Sequence, residues 1–361
     1  MLLTEPSEDT LYAALLASDP SYEGQAWVCV TSTGIFCRLV CVARKPKREN
    51  VRFERTLQDC IDAGFRPCKR CRPLDAPQHP VIGPLLARLD EDPERRWRES
   101  DIAALGFDPS TVRKAFRRQF GMTFIQVARA RRLGTAATKL KREMPVIEAQ
   151  LDAGYDSGSG FREAFVRNVG TPPARLRGEG LLYAWWIETP IGPMGAVADE
   201  DRLHILEFAD REALPKEIER LKARQGKAMV LARAAPIDAI EAGLAAYFRG
   251  EAGLPPLPIG DHGTAFQQEV WRALVQIPLG ETRSYLDVAT AIGRPTSVRA
   301  VARANGANQL ALLLPCHRVI GADGSLTGYA GGLWRKKWLL EHERRMAVGP
   351  GRYEHEHKGD G

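Results

Sequence analysis

Two pairs of cysteines constrain the first part of this chain more than any other feature of its sequence. Three residues separate Cys37 from Cys41, and two residues separate Cys68 from Cys71. Such spacings are typical of zinc ligands, and four thiolates complete a tetrahedral site. A segment that must bring both pairs to one ion has little freedom to fold otherwise. The sequence therefore predicts a zinc site made by these four thiols.

The segment around these cysteines is strongly basic. Residues 29–73 contain 11 Lys and Arg against 4 Asp and Glu. A zinc ion that only holds the chain together needs no such field, so a purely structural role leaves the charge unexplained. We therefore expect nucleic acid to bind here. Cys29 and Cys60 have no partner at ligand spacing and are predicted to be buried as small hydrophobic residues.

A repeat marks the next region. The segment "GFDPSTVRKAFRRQFGMT" (106–123) resembles "GYDSGSGFREAFVRNVGTP" (154–172), at an offset of 49 residues. Apolar residues at helical spacing and glycine stops predict two helix-turn-helix units, with Ser100 as the N-cap of an earlier helix. Residues 110–142 hold ten Lys and Arg and no acid. This skew favours DNA contact over a merely solvated helix face.

Proline-rich segments divide the chain, which at 361 residues is too long for one ordinary core. Residues 181–261 alternate apolar stretches with a helical segment, and Trp185 and Trp186 there are predicted to lie in the core and an interface. Helices return from 264 until a glycine-rich region at 321–332. The expected domains are 1–77, 80–178, 181–261 and 262–347, followed by a disordered tail at 348–361.

Nothing in the sequence predicts a membrane span or a signal peptide. No apolar run approaches the ~20 residues that cross a bilayer, and the N-terminus carries acids. We therefore expect a cytoplasmic monomer. Thiols stay reduced in that compartment, so seven cysteines favour metal binding or chemistry over disulfides.

The first cysteine-rich part, "TGIFCRLVC…AR…RENVRF…AGFRPCKRC", resembles the N-terminal domain of the Ada family of DNA alkylation-repair proteins. The resemblance implies that Cys37 binds zinc and also attacks a methyl group on a DNA phosphotriester. Zinc ligation deprotonates a thiol, so a thiolate is ready at neutral pH. Leu39 and Val42 depart from the family pattern, and a looser loop after Cys37 is expected. The resemblance also implies DNA backbone contacts at Thr33, Arg44 and Arg66.

The two helix-turn-helix units resemble an AraC-type DNA-binding domain. This implies that the second helix of each unit lies in a major groove of promoter DNA. RNA polymerase is a further candidate partner. Gly158 and Gly160 weaken the second unit as a rigid reader, so Arg162 is the less favoured candidate there. The candidate readers in the first unit are Arg113, Arg117 and Arg118.

The segment "NQLALLLPCHRVIGADGSLTGYAGG" (308–332) contains Cys316 followed by His317. An apolar run before such a pair has a plain interpretation, a buried strand with an unreactive thiol. Together with Tyr285 and Arg299, however, residues 181–345 resemble the O6-alkylguanine-DNA alkyltransferase family. The resemblance implies that Cys316 accepts the methyl group of O6-methylguanine after the base has left the stack.

The resemblance also assigns roles around Cys316. His317 would activate the thiol through a water and Glu343 would orient the imidazole. Arg299 would fill the gap left by the flipped base, on a helix over 296–306 whose small residues Ala300, Ala302, Ala304 and Gly306 let it approach a minor groove. Tyr285 would donate a proton to guanine N3. The hinge asparagine is Asn308, and the base is read at Val319, Tyr329 and Ala330.

The order of the three parts resembles bifunctional Ada proteins over nearly the whole chain. The expected fold is multidomain α+β: a small α/β zinc domain, an all-α double helix-turn-helix domain, and an α/β subdomain with a winged-helix-like alkyltransferase domain. The expected function is irreversible transfer of methyl groups from alkylated double-stranded DNA to cysteines, coupled to methylation-activated transcription. Two alternatives stay open: a regulator with a structural zinc and an inactive C-terminal site, and a repair protein that no longer regulates.

Overall fold

The computed structural model describes residues 6–19, 22, 26–55, 57–68, 70–71, 73, 81–176, 180–261 and 263–348. The chain divides into two compact units, one of residues 1–84 with 190–192 and one of residues 85–189 with 193–361. The predicted disordered tail begins at Val348, and its remaining residues, 349–361, lie outside these ranges. Within them, no helix has both the length and the apolar character needed to cross a membrane.

The first unit is a small sheet with a helix before it and another within it. Strand β1 pairs antiparallel with β2 and β3, and β2 pairs in parallel with β4, so the strand order is β3-β1-β2-β4. Val28 lies opposite Cys37, and both belong to the core that also contains Leu11 and Leu39. The elements are α1 Glu8–Ala17, β1 Trp27–Val30, β2 Ile35–Cys37, β3 Val51–Glu54, α2 Leu57–Asp62 and β4 Arg66–Pro67.

The residues next to Val28 and Cys37 in the two strands point to the opposite face of the sheet, because side chains alternate along a strand. Cys29 lies opposite Phe36 there, and its Sγ is 3.4 Å from that of Cys60. Both cysteines are fully buried, which confirms the prediction that they pack as small hydrophobic residues.

The second unit begins with helices whose geometry repeats. Helices α5 and α8 both have 12 residues, and each begins after a side-chain N-cap, Asp108 or Ser157. Each ends at a left-handed glycine, Gly121 or Gly170, so the predicted offset of 49 residues is confirmed in the caps as well as the cores. The helices are α3 Ile82–Glu91, α4 Glu99–Ala104, α5 Pro109–Phe120, α6 Phe124–Lys141, α7 Val146–Asp152 and α8 Gly158–Val169.

The prediction of Ser100 as an N-cap is wrong. Helix α4 begins at Glu99, and Arg98 occupies the cap position. The Asp101 carboxylate accepts a hydrogen bond from the Arg98 backbone N–H at 2.6 Å. A carboxylate in the first turn also suits the positive end of the helix dipole. Because Asp101 holds the backbone N–H of the cap residue, the helix begins at Glu99 without a serine cap.

A four-stranded sheet with order β7-β6-β5-β8 follows, antiparallel except where β5 and β8 pair in parallel. The elements from there are β5 Leu181–Ile187, β6 Met194–Ala198, β7 Leu203–Phe208, α9 Leu214–Gln225, β8 Ala228–Leu231, α10 Ala235–Phe248, α11 Ala265–Val275, β9 Arg283–Ser284, α12 Tyr285–Ala291, α13 Val298–Gly306, β10 Val319–Ile320 and α14 Leu333–Val348.

Within this unit, helix α6 packs across strand β8. A Cβ atom at Gly134 would collide with the carbonyl oxygen of Leu231, so only glycine permits this approach. The guanidinium of Arg131 lies 4.5 Å from the ring centroid of Trp185 and pairs with Asp90 at 3.4 Å. Trp186 packs on Phe120 of α5, with 4.4 Å between centroids. The predicted core and interface roles of the two tryptophans are confirmed.

Candidate functional site

The four predicted zinc ligands converge in the first unit. Because β2 and β4 run in parallel, Cys37 and Cys68 leave adjacent strands side by side. Cys41 lies in the tight turn after β2, where its N–H donates to the Arg38 carbonyl at 3.1 Å. All four sulfurs lie within 4.8 Å of one another, and those of Cys41 and Cys68 are 3.9 Å apart. Tetrahedral zinc with bonds of ~2.3 Å requires sulfurs about 3.8 Å apart, so this set fits the ion.

The thiols of this cluster resist ionising together. The pKa of Cys37 is raised by its hydrogen bond with Cys71, by burial and by nearby thiolates, and burial raises that of Cys41 to about 11. The pKa of Cys71 is lowered to about 5, first by the hydrogen bond from Cys37 and also by the N–H of Arg38. The protein alone thus favours one thiolate, whereas a divalent cation allows all four to ionise.

The predicted phosphate contacts lie on the surface of the same unit. Thr33, Arg44 and Arg66 are all exposed. Thr33 lies in the turn between β1 and β2, and Arg66 opens β4 two residues before Cys68. Of the two departures after Cys37, Leu39 is fully buried in the core of this unit, whereas Val42 is exposed.

Cys316 opens a single 3-10 turn that leads into β10, and only 6% of it is exposed. The Nδ2 amide of Asn308 donates to its Sγ at 3.1 Å and to the Leu314 carbonyl at 2.8 Å. The residues between them form turns, not the plain buried strand that the apolar run also allowed, and Leu312 has a φ of +67°. A buried leucine in the left-handed region is a strained conformation, and such strain clusters at functional sites.

A buried ion-pair network holds His317. Its Nε2 lies 2.9 Å from Glu343 Oε1, and both residues are fully buried. Arg318 donates to the two oxygens of Glu343 from Nε at 2.8 Å and from Nη2 at 2.9 Å. Tyr247 also donates to this carboxylate, at 2.9 Å. The predicted orientation of His317 by Glu343 is therefore present in the geometry, with Arg318 and Tyr247 as additions that the sequence did not reveal.

The charges of this network leave a neutral base. Burial lowers the pKa of His317, so the imidazole is uncharged at neutral pH. Burial raises the pKa of Glu343, but hydrogen bonds from His317 and Arg318 outweigh it and hold that pKa well below its usual range. An ionised Glu343 requires the proton of His317 on Nε2, so Nδ1 carries a free lone pair. That Nδ1 is buried with no hydrogen-bond partner among the described residues.

The thiol itself is held largely protonated. Burial raises the pKa of Cys316 to about 11, and the hydrogen bond from Asn308 opposes this. Tyr285, whose hydroxyl contacts the Thr327 carbonyl at 3.3 Å, and Tyr329 both have pKa values that burial raises. Both tyrosines remain protonated at neutral pH and can donate hydrogen bonds.

Lys336 is a site residue that sequence reasoning missed. It is fully buried, and its Nζ donates to the carbonyls of Val319 at 2.5 Å and Thr327 at 2.6 Å. Burial lowers its pKa to about 8. Its position three residues before the buried Leu339, in the apolar stripe of α14, was the available signal. Lys336 thus fixes Val319, whereas Ala330, another predicted reader of the base, is exposed.

Three family models match successive parts of the chain. They are the metal binding domain of Ada over residues 10–74, a helix-turn-helix domain over 102–179, and the DNA binding domain of 6-O-methylguanine DNA methyltransferase over 265–345. The chain is also 36% identical over 352 residues to the bifunctional transcriptional activator/DNA repair enzyme Ada of Escherichia coli (strain K12). That alignment covers 93% of this chain and 96% of that protein.

The chain belongs to the Ada family.

Two further relatives agree with this. The regulatory protein ada of Salmonella typhimurium is 35% identical over 350 residues, covering 93% of this chain and 96% of that protein. The methylated-DNA–protein-cysteine methyltransferase of the same organism is 42% identical over 159 residues, covering 44% of this chain and 92% of that protein. The four-cysteine cluster is the zinc site of the Ada metal-binding domain.

Helix α13 of this family member carries Arg299 on its exposed surface, as predicted. The expected stripe of small residues is wrong in one position. Ala304 is only 2% exposed, and its carbonyl accepts a hydrogen bond from Trp271 Nε1 at 2.9 Å. Residues two apart point in different directions on a helix, so Ala304 packs inward while Gly306 stays exposed.

The predicted DNA readers lie on the exposed faces of the two repeated helices. Arg113, Arg117 and Arg118 are exposed on α5, and Arg113 forms an ion pair with Glu99 of α4. Arg162 occupies on α8 the position that Arg113 has on α5, and it is also exposed. Gly158 and Gly160 do not interrupt α8, because Ser157 caps that turn through the N–H of Gly160 at 3.2 Å.

Proposed function

We propose that this Ada-family chain transfers methyl groups from DNA to two of its own cysteines, Cys316 and Cys37, and binds promoter DNA through α5 and α8. The observation that carries the proposal is the buried arrangement at Cys316, in which Asn308 contacts the sulfur and Glu343 fixes the tautomer of the adjacent histidine. The relatives that match over 93% of the chain bear names that combine regulation with DNA repair.

At Cys316 the substrate is O6-methylguanine that has been rotated out of the duplex. The thiol proton passes through a bridging water to Nδ1 of His317, whose lone pair has no other partner in the described structure. The sulfur attacks the methyl carbon, so an S–C bond forms while the O6–C bond breaks. Tyr285 donates its proton to guanine N3 as negative charge develops on the base. Arg299 holds the vacated place in the stack.

At Cys37 the substrate is a methyl phosphotriester in the DNA backbone. Bound zinc supplies a positive charge that keeps the four sulfurs as thiolates. The Cys37 sulfur takes the methyl group, and the phosphate keeps the bonding electrons and becomes an ordinary diester. Thr33, Arg44 and Arg66, on the exposed surface of this unit, hold the phosphates on either side.

The finer assignments belong to the same proposal. The proposed domains are 1–77, 80–178, 181–261 and 262–347. Helices α12 and α13 would form the DNA-binding face of a winged-helix-like domain, with Val319, Tyr329 and Ala330 around the base. A cytoplasmic monomer that contacts RNA polymerase at its promoter is the corresponding assignment for location and partners.

Mass spectrometry of the intact protein after incubation with methylated duplex DNA tests the proposal. Wild type should gain two methyl groups, and Cys316→Ala should gain one, from phosphotriesters only. Peptide mapping should place the methyl groups on Cys37 and Cys316. Absence of any mass gain would favour a regulator with a structural zinc site. Mass gain without promoter binding would favour a repair protein that does not regulate.

A further inference from the structure

An arginine far from Cys316 in sequence contacts the backbone of Asn308, the residue whose side chain donates to the Cys316 sulfur. Arg211 lies in the turn between β7 and α9, and its side chain is only 8% exposed. Its Nη1 donates to the Asn308 carbonyl at 3.0 Å and its Nη2 to the Gly306 carbonyl at 3.3 Å. One guanidinium therefore contacts the end of α13 and the hinge that follows it.

Two buried carboxylates hold this guanidinium in place. Glu207 of β7 accepts from Nη1 at 2.6 Å, and Glu217 of α9 pairs with Nη2 at 3.1 Å. The exposed fractions of their side chains are 3% and 8%. A planar guanidinium offers several donors in a fixed fork, so it can hold two carboxylates and two carbonyls at once. A lysine ammonium at the same place has three donors from a single atom and cannot span this set.

The fixed hinge determines where the Asn308 amide points. Its Oδ1 accepts from the Leu310 N–H at 2.9 Å, and its Nδ2 reaches both the Leu314 carbonyl and the Cys316 sulfur. Strand β7 supports the same segment, because the Leu206 N–H donates to the Gln309 carbonyl at 2.8 Å and the Leu206 carbonyl accepts from the Ala311 N–H at 2.7 Å. Release of the Asn308 backbone would therefore move the amide away from the sulfur.

We propose that Arg211, clamped between Glu207 and Glu217, is a positioning residue for methyl transfer, because it fixes the hinge from which Asn308 donates a hydrogen bond to the Cys316 sulfur. This inference rests on the proposed transfer at Cys316. A hydrogen bond to the ionised form of a group favours that form, so Asn308 stabilises the thiolate. Loss of the clamp weakens this bond and disfavours ionisation of the thiol.

The charged and titratable groups that face Cys316 come from several elements. Arg211 and Lys336 favour its thiolate, whereas Glu207 disfavours it. Removal of Arg211 alone would leave two buried carboxylates without their cation and change the local charge together with the geometry. An informative variant must separate these two effects. The remaining titratable groups near the sulfur are His317, Tyr285 and Tyr329.

The test is the single-turnover rate of methyl transfer as a function of pH, measured on full-length protein. The substrates are duplex DNA with O6-methylguanine and the free base O6-benzylguanine. Arg211→Lys keeps the positive charge but loses the fork. Arg211→Met with Glu207→Gln removes the donors together with one carboxylate. Burial raises the pKa of Glu207 to about 7, so the net charge of the cluster stays the same above that pH. Arg233→Lys is the matched control. Arg233 also pairs with carboxylates, those of Asp90, Asp238 and Glu241, but these lie outside the Arg211 cluster.

Both Arg211 variants should move the rise of the rate with pH upward by about one unit, which is about a tenfold loss at neutral pH. Both substrates should be slowed alike, because the defect lies at the thiol, and the rate should recover at high pH. The proposal would be overturned if the midpoint of the rise in rate with pH did not change, whether or not the rate fell uniformly at all pH values. Slowing of the duplex substrate alone would also overturn it and would move the role to α13. Absence of transfer in wild type would reject the proposed function itself. That result differs from the two outcomes that would overturn only the role of Arg211.

Discussion

His317 is a buried histidine whose lowered pKa makes the stability of its surroundings depend on pH. Below the unfolded-state pKa of about 6.5, the unfolded chain binds a proton at this residue and the folded chain does not. The free energy of unfolding should therefore fall as the pH falls below about 6.5, by up to about 1.4 kcal/mol per unit. Glu343 also has a lowered pKa, and its contribution is lost only at lower pH, below about 4.5.

The measurement is hydrogen exchange of the α14 amides at pH 7.5 and 5.5, corrected for the intrinsic exchange rates. His317→Asn should lose about 1 kcal/mol less protection over this range than wild type does. His342 remains in both proteins and also has a lowered pKa, so it contributes equally to each. Identical losses in the two proteins would contradict the assignment of this slope to His317.

At the scale of single residues, the sequence predicted the site residues that belong to compact motifs. It missed the site residues whose partners are distant in sequence. Cys316 and His317 are adjacent, and the four zinc ligands have recognisable spacings. Arg211 lies 97 residues before Asn308, and no periodicity connects a turn residue with a distant hinge. Lys336 was missed because a lysine in a helix is ordinarily solvated, and only its register in an apolar stripe marks it as buried.

The two repeated helices differ in charge, and this difference should appear in their contributions to DNA binding. Arg117 on α5 corresponds to Val166 on α8 at the same offset of 49 residues, and both are exposed. A lysine or arginine that neutralises one phosphate contributes about one counterion to the salt dependence of binding. Arg117→Ala should weaken binding to all sequences and reduce the slope of log K against log salt by about 1. Val166→Ala, the matched control, should leave that slope unchanged, and equal slopes for all three proteins would argue against phosphate contact by α5.

Helix α13 is expected to act on duplex DNA and not on the chemistry of transfer. Arg299 is exposed near the start of this helix, and among the described residues its side chain makes none of the hydrogen bonds that hold the thiol loop. Arg299→Ala should therefore slow transfer from O6-methylguanine in a duplex far more than transfer from free O6-benzylguanine, if that base is accepted. The comparison requires rates on both substrates at one pH. An equal loss on both would reject a role in holding the base outside the helix.

At the scale of elements, the sequence predicted the repeated helices well because caps, apolar spacing and glycine stops act locally. The start of α4 was placed two residues late, because Arg98 is the cap residue and the first-turn carboxylate of Asp101 accepts its N–H. The small residues of α13 were predicted as one surface, but alternate positions diverge on a helix and Ala304 packs inward. Composition therefore indicated the right element there but misplaced one of its four small residues.

At the scale of the whole molecule, the contact of α6 with β8 was not predictable from local patterns. It depends on Gly134, which lets the helix approach the Leu231 carbonyl, and on Asp90, which joins Arg131 and Arg233 in a partly buried ion-pair cluster. Within the second unit, the helix-turn-helix part and the alkyltransferase sheet are therefore joined by packing as well as by chain connection. The excess of basic residues in 110–142 therefore cannot all serve DNA binding. Arg131 is buried in the contact between α6 and the sheet and is not available to DNA.

The charge of the four-cysteine cluster should control how tightly the whole chain holds a promoter. Four thiolates and one zinc ion carry a net charge of −2, and methylation of Cys37 makes one ligand a neutral thioether and leaves −1. The cluster lies in a basic segment where phosphates are expected, so methylation removes one unit of repulsion. At ~4 Å this is worth about 1 kcal/mol in water and about 4 kcal/mol at an effective dielectric constant of ~20. Promoter affinity should then rise by roughly fivefold to several hundredfold.

The measurement is promoter affinity at fixed salt before and after exposure to DNA that carries methyl phosphotriesters, with zinc content measured in each sample. Cys316→Ala is the background for all proteins, so that only Cys37 can be methylated. Cys37→Ser has no acceptor thiol, and its affinity should not respond to the treatment. A methylated Cys37 with zinc retained and unchanged affinity would show that the cluster does not gate DNA binding. The helices α5 and α8 would then determine promoter affinity without regard to the repair state of the first unit.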